Sequence, residues 1–235
     1  MDILKKIKIT ASAKSSAVIV LLIVSQMFLP QINAQTQNIT ASGQKKVLSY
    51  APGDDVRSAF KESYRLEAKG RIGSAIDVIK KIYNKNSYEI NLRLGYLSNL
   101  KGQYSESIYY YSTAISILPL SVEARLGLAN PVAAIEDWTT LENNYNDILK
   151  IDPNNSQVNY KLGMMFYYRA DYNGAFKYIE KTVNLYPFDY YSVLMLAWTN
   201  FNLGKAREAE VLFNKVLLIS PDDASALEGL GLLRK

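Results

Sequence analysis

Four prolines, Pro119, Pro153, Pro187 and Pro221, stand 34 residues apart. Each follows an apolar residue near the end of a helical pattern, as in Ile117-Leu118-Pro119 and Leu185-Tyr186-Pro187. Proline lacks an amide donor and restricts the residue before it, so each marks a helix end. Asn155, Asp189 and Asp223 then stand where the next helix needs an N-cap. A fixed period of this size requires stacked copies of one supersecondary unit, and the rest of the chain can be measured against it.

Small residues supply a second ruler. Leu94-Gly95, Leu126-Gly127, Leu162-Gly163, Leu196-Ala197 and Leu230-Gly231 are spaced 32, 36, 34 and 34. A Gly or Ala there lets the two helices of a hairpin approach closely. Turns fall at Lys101-Gly102, Arg169-Ala170 and Leu203-Gly204. A second helix follows each, with apolar residues at helical spacing, for example Tyr172, Ala175, Phe176, Ile179 and Val183. By this ruler the unit over 122–155 is irregular, with a shortened loop before it and two extra residues inside it. Pro131 lies in that interior, and a proline inside a helix costs ~3 kcal/mol. The first helix is expected to end or kink near Asn130, with residues 131–137 forming a longer turn. The bland reading is an indel that preserves register; the functional one is a widened groove or a hinge.

This text resembles the tetratricopeptide repeat (TPR) family, whose 34-residue pattern reads W-x2-L-G-x2-Y, then A-x3-F, then P. Residues 156–189 supply Leu162, Gly163, Phe166, Ala175, Ile179 and Pro187, and residues 190–223 supply Leu196, Ala197, Ala209, Phe213 and Pro221. Residues 88–121 supply Leu94, Gly95, Tyr111 and Pro119, with Ser107 for the alanine. The unit over 56–87 is degenerate, and Asn91, Asn159 and Val193 occupy the Trp slot. The resemblance covers about 56–235. It implies an all-α, right-handed TPR solenoid of about five helix-turn-helix repeats, closed by a capping helix in 224–235.

The family usually binds partners on the concave face lined by the first helix of each hairpin. Carried onto this sequence, the groove positions include Tyr64, then Tyr96, then Tyr160, Met164, Tyr167 and Tyr168, then Tyr191, Trp198, Phe201 and Asn202. Leu194 belongs with them, and Ala124 and Leu128 are the offering of the irregular unit. The face is aromatic and nearly uncharged. The Lys and Asn that grip a C-terminal carboxylate in some family members are replaced by Phe60, Tyr64 and Leu92. Many such rings pack between helices; the rest would suit a peptide or helix. Tyr160, Tyr167, Trp198 and Phe201 are the expected main contacts.

Composition narrows the function further. The chain contains no Cys and no His, which excludes thiolate nucleophiles, Ser-His-Asp triads and Cys/His zinc sites. Among the carboxylates, Asp54, Asp55, Glu62, Glu136 and Asp137 show no catalytic pairing, so no catalytic, cofactor or metal residue is expected. Lys5, Lys6, Lys8 and Lys14 precede an unbroken apolar run from Ala17 to Val24 that extends past Ser25 and Gln26 to Leu29, and Ala34 offers a small residue at a cleavage edge. Residues 1–34 therefore read as an export signal peptide, with an uncut membrane anchor as the alternative. Residues 35–55 read as a flexible polar tether. Four of 27 basic and one of 22 acidic residues lie in the leader. The remainder carries 23 and 21, a balance of +2 that does not suggest nucleic-acid binding. The expected function is a non-catalytic protein-interaction scaffold in an exported, periplasmic or extracellular compartment. Glycan binding through groove aromatics and a self-associating structural subunit are the other readings.

Overall fold

A computed structural model describes residues 53–234, so the leader and most of the tether lie outside the described residues. Among the described residues there are eleven α-helices and no strand. They are α1 (Asp54–Glu67), α2 (Ile72–Lys81), α3 (Tyr88–Leu100), α4 (Tyr104–Ile117), α5 (Val122–Ala134), α6 (Trp138–Ile151), α7 (Ser156–Tyr168), α8 (Tyr172–Leu185), α9 (Tyr190–Asn202), α10 (Ala206–Ile219) and α11 (Ala224–Leu233). The expected TPR solenoid fold is borne out, with helices packing in succession. They form two compact units, one ending at Trp138 and the other starting at Thr139. The N-terminal unit is cored by Leu66, Ile79, Ile90, Leu94 and Leu97. The C-terminal unit is cored by Ile179, Val193, Leu196, Phe213 and Val216.

Side-chain caps set where the first helices begin. Asn155, Asp189 and Asp223 accept from the amides of Val158, Ser192 and Ala226 at 3.1, 2.9 and 2.8 Å. Ser87 and Ser121 do the same for Ile90 and Ala124, at 3.4 and 3.0 Å. The five caps are spaced 34 residues throughout. Each fills one orphan amide of a helix start, a bond worth roughly 0.5–2 kcal/mol. At the Trp slot, Asn91 donates to the carbonyl of Lys85, Asn159 to that of Pro153 and Arg125 to that of Pro119, at 3.0, 3.1 and 3.3 Å. A polar side chain here ties down the loop before the helix, where the family pattern has an indole.

The irregular third unit is a misreading, and the caps show why. Counting 34 residues from Leu94-Gly95 reaches Leu128-Ala129, and another 34 reaches Leu162-Gly163. Leu126-Gly127 lies two residues before that slot, and Gly127 serves a different contact, packing on the Tyr111 ring of α4, where a Cβ would stand 2.2 Å away. α5 runs unbroken through Pro131 to Ala134, neither ending nor kinking at Asn130 as expected. The amide of Ile135 still reaches the carbonyl of Pro131 at 3.2 Å. Burial of Pro131 and Val132 offsets the missing donor, because tertiary packing overrides helix propensity. The helix ends on Glu136 at φ 62°, with the amide of Asp137 on the carbonyl of Val132 at 3.2 Å. Ala170 closes α7 in the same way at φ 60°. The true length change lies earlier: α2 has 10 residues where α4, α6, α8 and α10 have 14.

Close approach requires glycine at only some of the Leu-Gly slots. A Cβ on Gly163 would stand 2.3 Å from Ile179 Cγ1, while one on Gly231 would meet nothing within 4 Å. Gly163→Ala should therefore lower stability by about 1–3 kcal/mol through overpacking. Gly231→Ala should be neutral or raise it by about 0.5–1 kcal/mol through helix propensity. Urea unfolding of the two variants checks this, and equal effects would contradict the packing.

Candidate functional site

In the C-terminal unit, the cap register sets the faces of α7, α9 and α11, and a row of rings and amides joins them. Asn202 at the end of α9 donates to the Tyr167 hydroxyl of α7 at 3.1 Å and to the Trp198 carbonyl at 2.8 Å. The Trp198 indole N–H donates to Ser225 Oγ of α11 at 2.8 Å. Its ring meets Phe201 edge-on at 5.4 Å and the buried Phe213 at 5.0 Å. Tyr167 packs edge-on against Tyr168 and Tyr172. Burial, helped by the neighbouring Tyr172, pushes the Tyr167 phenol up to about 12. Burial likewise raises Tyr160, with Tyr168, the Asp189 carboxylate, Tyr191 and Tyr190 contributing to the rise. These phenols stay protonated at neutral pH, so the face offers hydrogen-bond donors without charge.

The expected residues sit at different depths. Tyr160, Tyr167, Tyr168, Trp198 and Phe201 are half-buried, and Asn202 and Tyr191 are exposed. Met164 is only 3% exposed, and Leu194 is buried, so both are packing residues in this conformation. Ala124 and Leu128 are buried for a plainer reason. They were placed with the false two-residue shift. The outward positions of α5, counted by 34 from α3, are Glu123, Leu126, Asn130 and Ala133. Sequence reasoning missed the loop before α9. Phe188 is 59% exposed there, beside the exposed Tyr186 and a Tyr191 at 50%. The signal was present as three ring residues flanking the Pro187 and Asp189 markers.

The two N-terminal tyrosines belong to a closed network. Arg93 of α3 is buried, with Nη1 2.6 Å from Glu67 Oε2. Its Nε and Nη2 donate to Ser63 Oγ at 3.1 and 3.0 Å. The guanidinium lies 4.0 Å from the Tyr64 ring centroid. The Tyr96 hydroxyl donates to Glu67 Oε1 at 2.9 Å, and burial, then that bond, raises its pKa. Tyr64 is nonetheless exposed. Among the described residues, no group of three or more His, Cys, Asp or Glu is placed to hold a metal ion, and no helix is long and apolar enough to cross a membrane.

Comparison with known proteins agrees with this fold. Residues 157–189 and 190–223 each match a family model described as a tetratricopeptide repeat. No curated protein sequence matches the chain. Among solved structures, it is similar to a tetratricopeptide repeat protein from Parabacteroides merdae, with 22% identity and a TM-score of 0.66 over 77% of this chain and 73% of that one. MamA from Desulfovibrio magneticus matches at 18% identity and a TM-score of 0.63, covering 74% of this chain and 99% of that one. YrrB, described as a TPR protein with an unusual peptide-binding site, matches at 12% identity and a TM-score of 0.61, covering 81% and 98%.

A lysine could not serve Ser63, Glu67 and the Tyr64 ring together, because it is a point charge on a flexible stem. Arg93→Lys should cost about 1–3 kcal/mol in urea unfolding. A variant as stable as the parent would show that the network is idle.

Proposed function

We propose that this chain, a tetratricopeptide-repeat protein, is a non-catalytic scaffold holding a peptide or helix of a partner protein. The docking face is the ring row of α7 and α9 and the exposed edge formed by Tyr186, Phe188 and Tyr191. One observation carries the reading: large rings are exposed at that edge and run into a half-buried, uncharged row fixed by hydrogen bonds between helices. Exposed apolar surface of this kind marks an interaction site. Rings on rigid helices lose little entropy on binding and serve as anchors. An amphipathic helix or an extended peptide with apolar anchors suits such a surface. The peptide-binding site named in the description of YrrB supports the same class of partner. The exported or envelope compartment rests on the leader pattern in residues 1–34.

Selection of a random displayed-peptide library on the immobilised protein tests the partner class. Enriched peptides should carry two or more apolar residues and no excess of charge. Their affinity should fall about tenfold or more in a Tyr191→Ala/Asn202→Ala variant, whose changes are exposed and spare the core. Failure to enrich any sequence, or unchanged affinity in the double variant, would defeat the proposal.

A further inference from the structure

Among the described residues, α11 is a first helix that no second helix follows. In earlier hairpins the second helix covers the Leu-Gly pair of the first. Ile179 of α8 fills the slot at Gly163, where a Cβ would stand 2.3 Å away, and Tyr111 of α4 fills the slot at Gly95, at 2.9 Å. α11 repeats the pair as Leu230-Gly231, yet a Cβ on Gly231 would meet nothing within 4 Å. Leu227 precedes Gly231 by one helical turn and is 50% exposed. Its equivalents one and two periods earlier, Val193 and Asn159, are buried.

The solvent-facing end of a repeat array needs a polar outer face. Leu227 and Gly231 share one face of α11 and neither is polar. Glycine inside a helix is destabilising, and at 231 no close contact within the described structure offsets it. The face has the form of the hairpin packing slot and stands open. The molecule itself shows what fits such a slot. Ser107 and Tyr111, Ala175 and Ile179, and Ala209 and Phe213 are buried pairs on second helices, a small residue followed four positions later by a large one. The small residue lets the backbones approach, and Tyr111 and Ile179 fill the space above the glycine. The face of α11 continues this row of helix–helix interfaces.

We infer that the face of α11 bearing Leu227 and Gly231 docks an amphipathic helix of a partner protein, in the place a sixth second helix would take. The helix carries Ala or Ser followed four residues later by Ile, Phe or Tyr. This surface is separate from the ring row and does not depend on it.

The test uses the full chain and a fluorophore-labelled peptide of residues 171–186, the α8 sequence with its cap. A hydrocarbon staple in place of Lys177 and Lys181, both exposed, holds the peptide helical. α8 is the probe because the pair it covers, Leu162-Gly163, has the same residues as Leu230-Gly231. Fluorescence anisotropy should show saturable binding. Gly231→Leu fills the slot and should weaken binding about tenfold or more, while thermal unfolding stays unchanged or rises. Leu227→Asp should weaken it severalfold, as should Ile179→Ala in the peptide. Tyr191→Ala/Asn202→Ala should leave this affinity unchanged, which separates the slot from the ring row. No binding at millimolar peptide, or equal affinity of the parent and Gly231→Leu, would overturn the inference. So would sedimentation showing a dimer of the parent that Gly231→Leu dissolves, since α11 of a second copy would then occupy the slot.

Discussion

A side-chain oxygen accepting the amide three residues on begins the first helix of every hairpin after the opening one, and the rest of the array follows from that bond. Ser87, Ser121, Asn155, Asp189 and Asp223 all make it. Helices of 13 residues are marginal alone and draw their stability from packing. Packing needs each helix to begin at the right residue, since one step turns its faces by a large angle. The caps provide that phase. Two are themselves held by the unit before: the Tyr88 hydroxyl pairs with Ser121 Oγ at 2.7 Å, and the Tyr190 hydroxyl donates to Asp223 Oδ2 at 2.6 Å. One hairpin thus fixes the start of the next.

The candidate binding face inherits this phase. Tyr167 and Phe201, Tyr168 and Asn202, and Met164 and Trp198 are pairs one period apart. Their depths differ because their neighbours differ. Trp198 is wedged by Phe213 and bonded to Ser225, whereas Tyr191 stands at a helix start with open space beside it. The part of the candidate face carried by successive helices is preorganised, which would reduce the entropic cost of holding a partner there.

Much of the fold was legible because proline and capping residues act through position. Pro119, Pro153, Pro187 and Pro221 show the period, and Asn155, Asp189 and Asp223 show the helix starts. Ser87 and Ser121 were harder to see, since serine is common in loops. The third unit was misread because a Leu-Gly pair at 126–127 imitates the packing slot, while the true slot at Leu128-Ala129 is less conspicuous. Pro131 strengthened the error, because its intrinsic penalty does not include the burial that offsets it. The candidate face was legible as a set of positions but not as a surface. Burial of Met164 and exposure of Phe188 depend on neighbours distant in sequence.

Amide hydrogen exchange across residues 130–137 bears most directly on a single, unbroken register. In a continuous α5, the amides of Ile135 and Asp137 are protected, because they bond to the carbonyls of Pro131 and Val132. Protection of these two comparable to that at the end of α9, where Leu203 and Lys205 make the corresponding bonds, is the predicted result. Rapid exchange throughout 131–137 would mean an open turn, and would contradict a register running through the third unit.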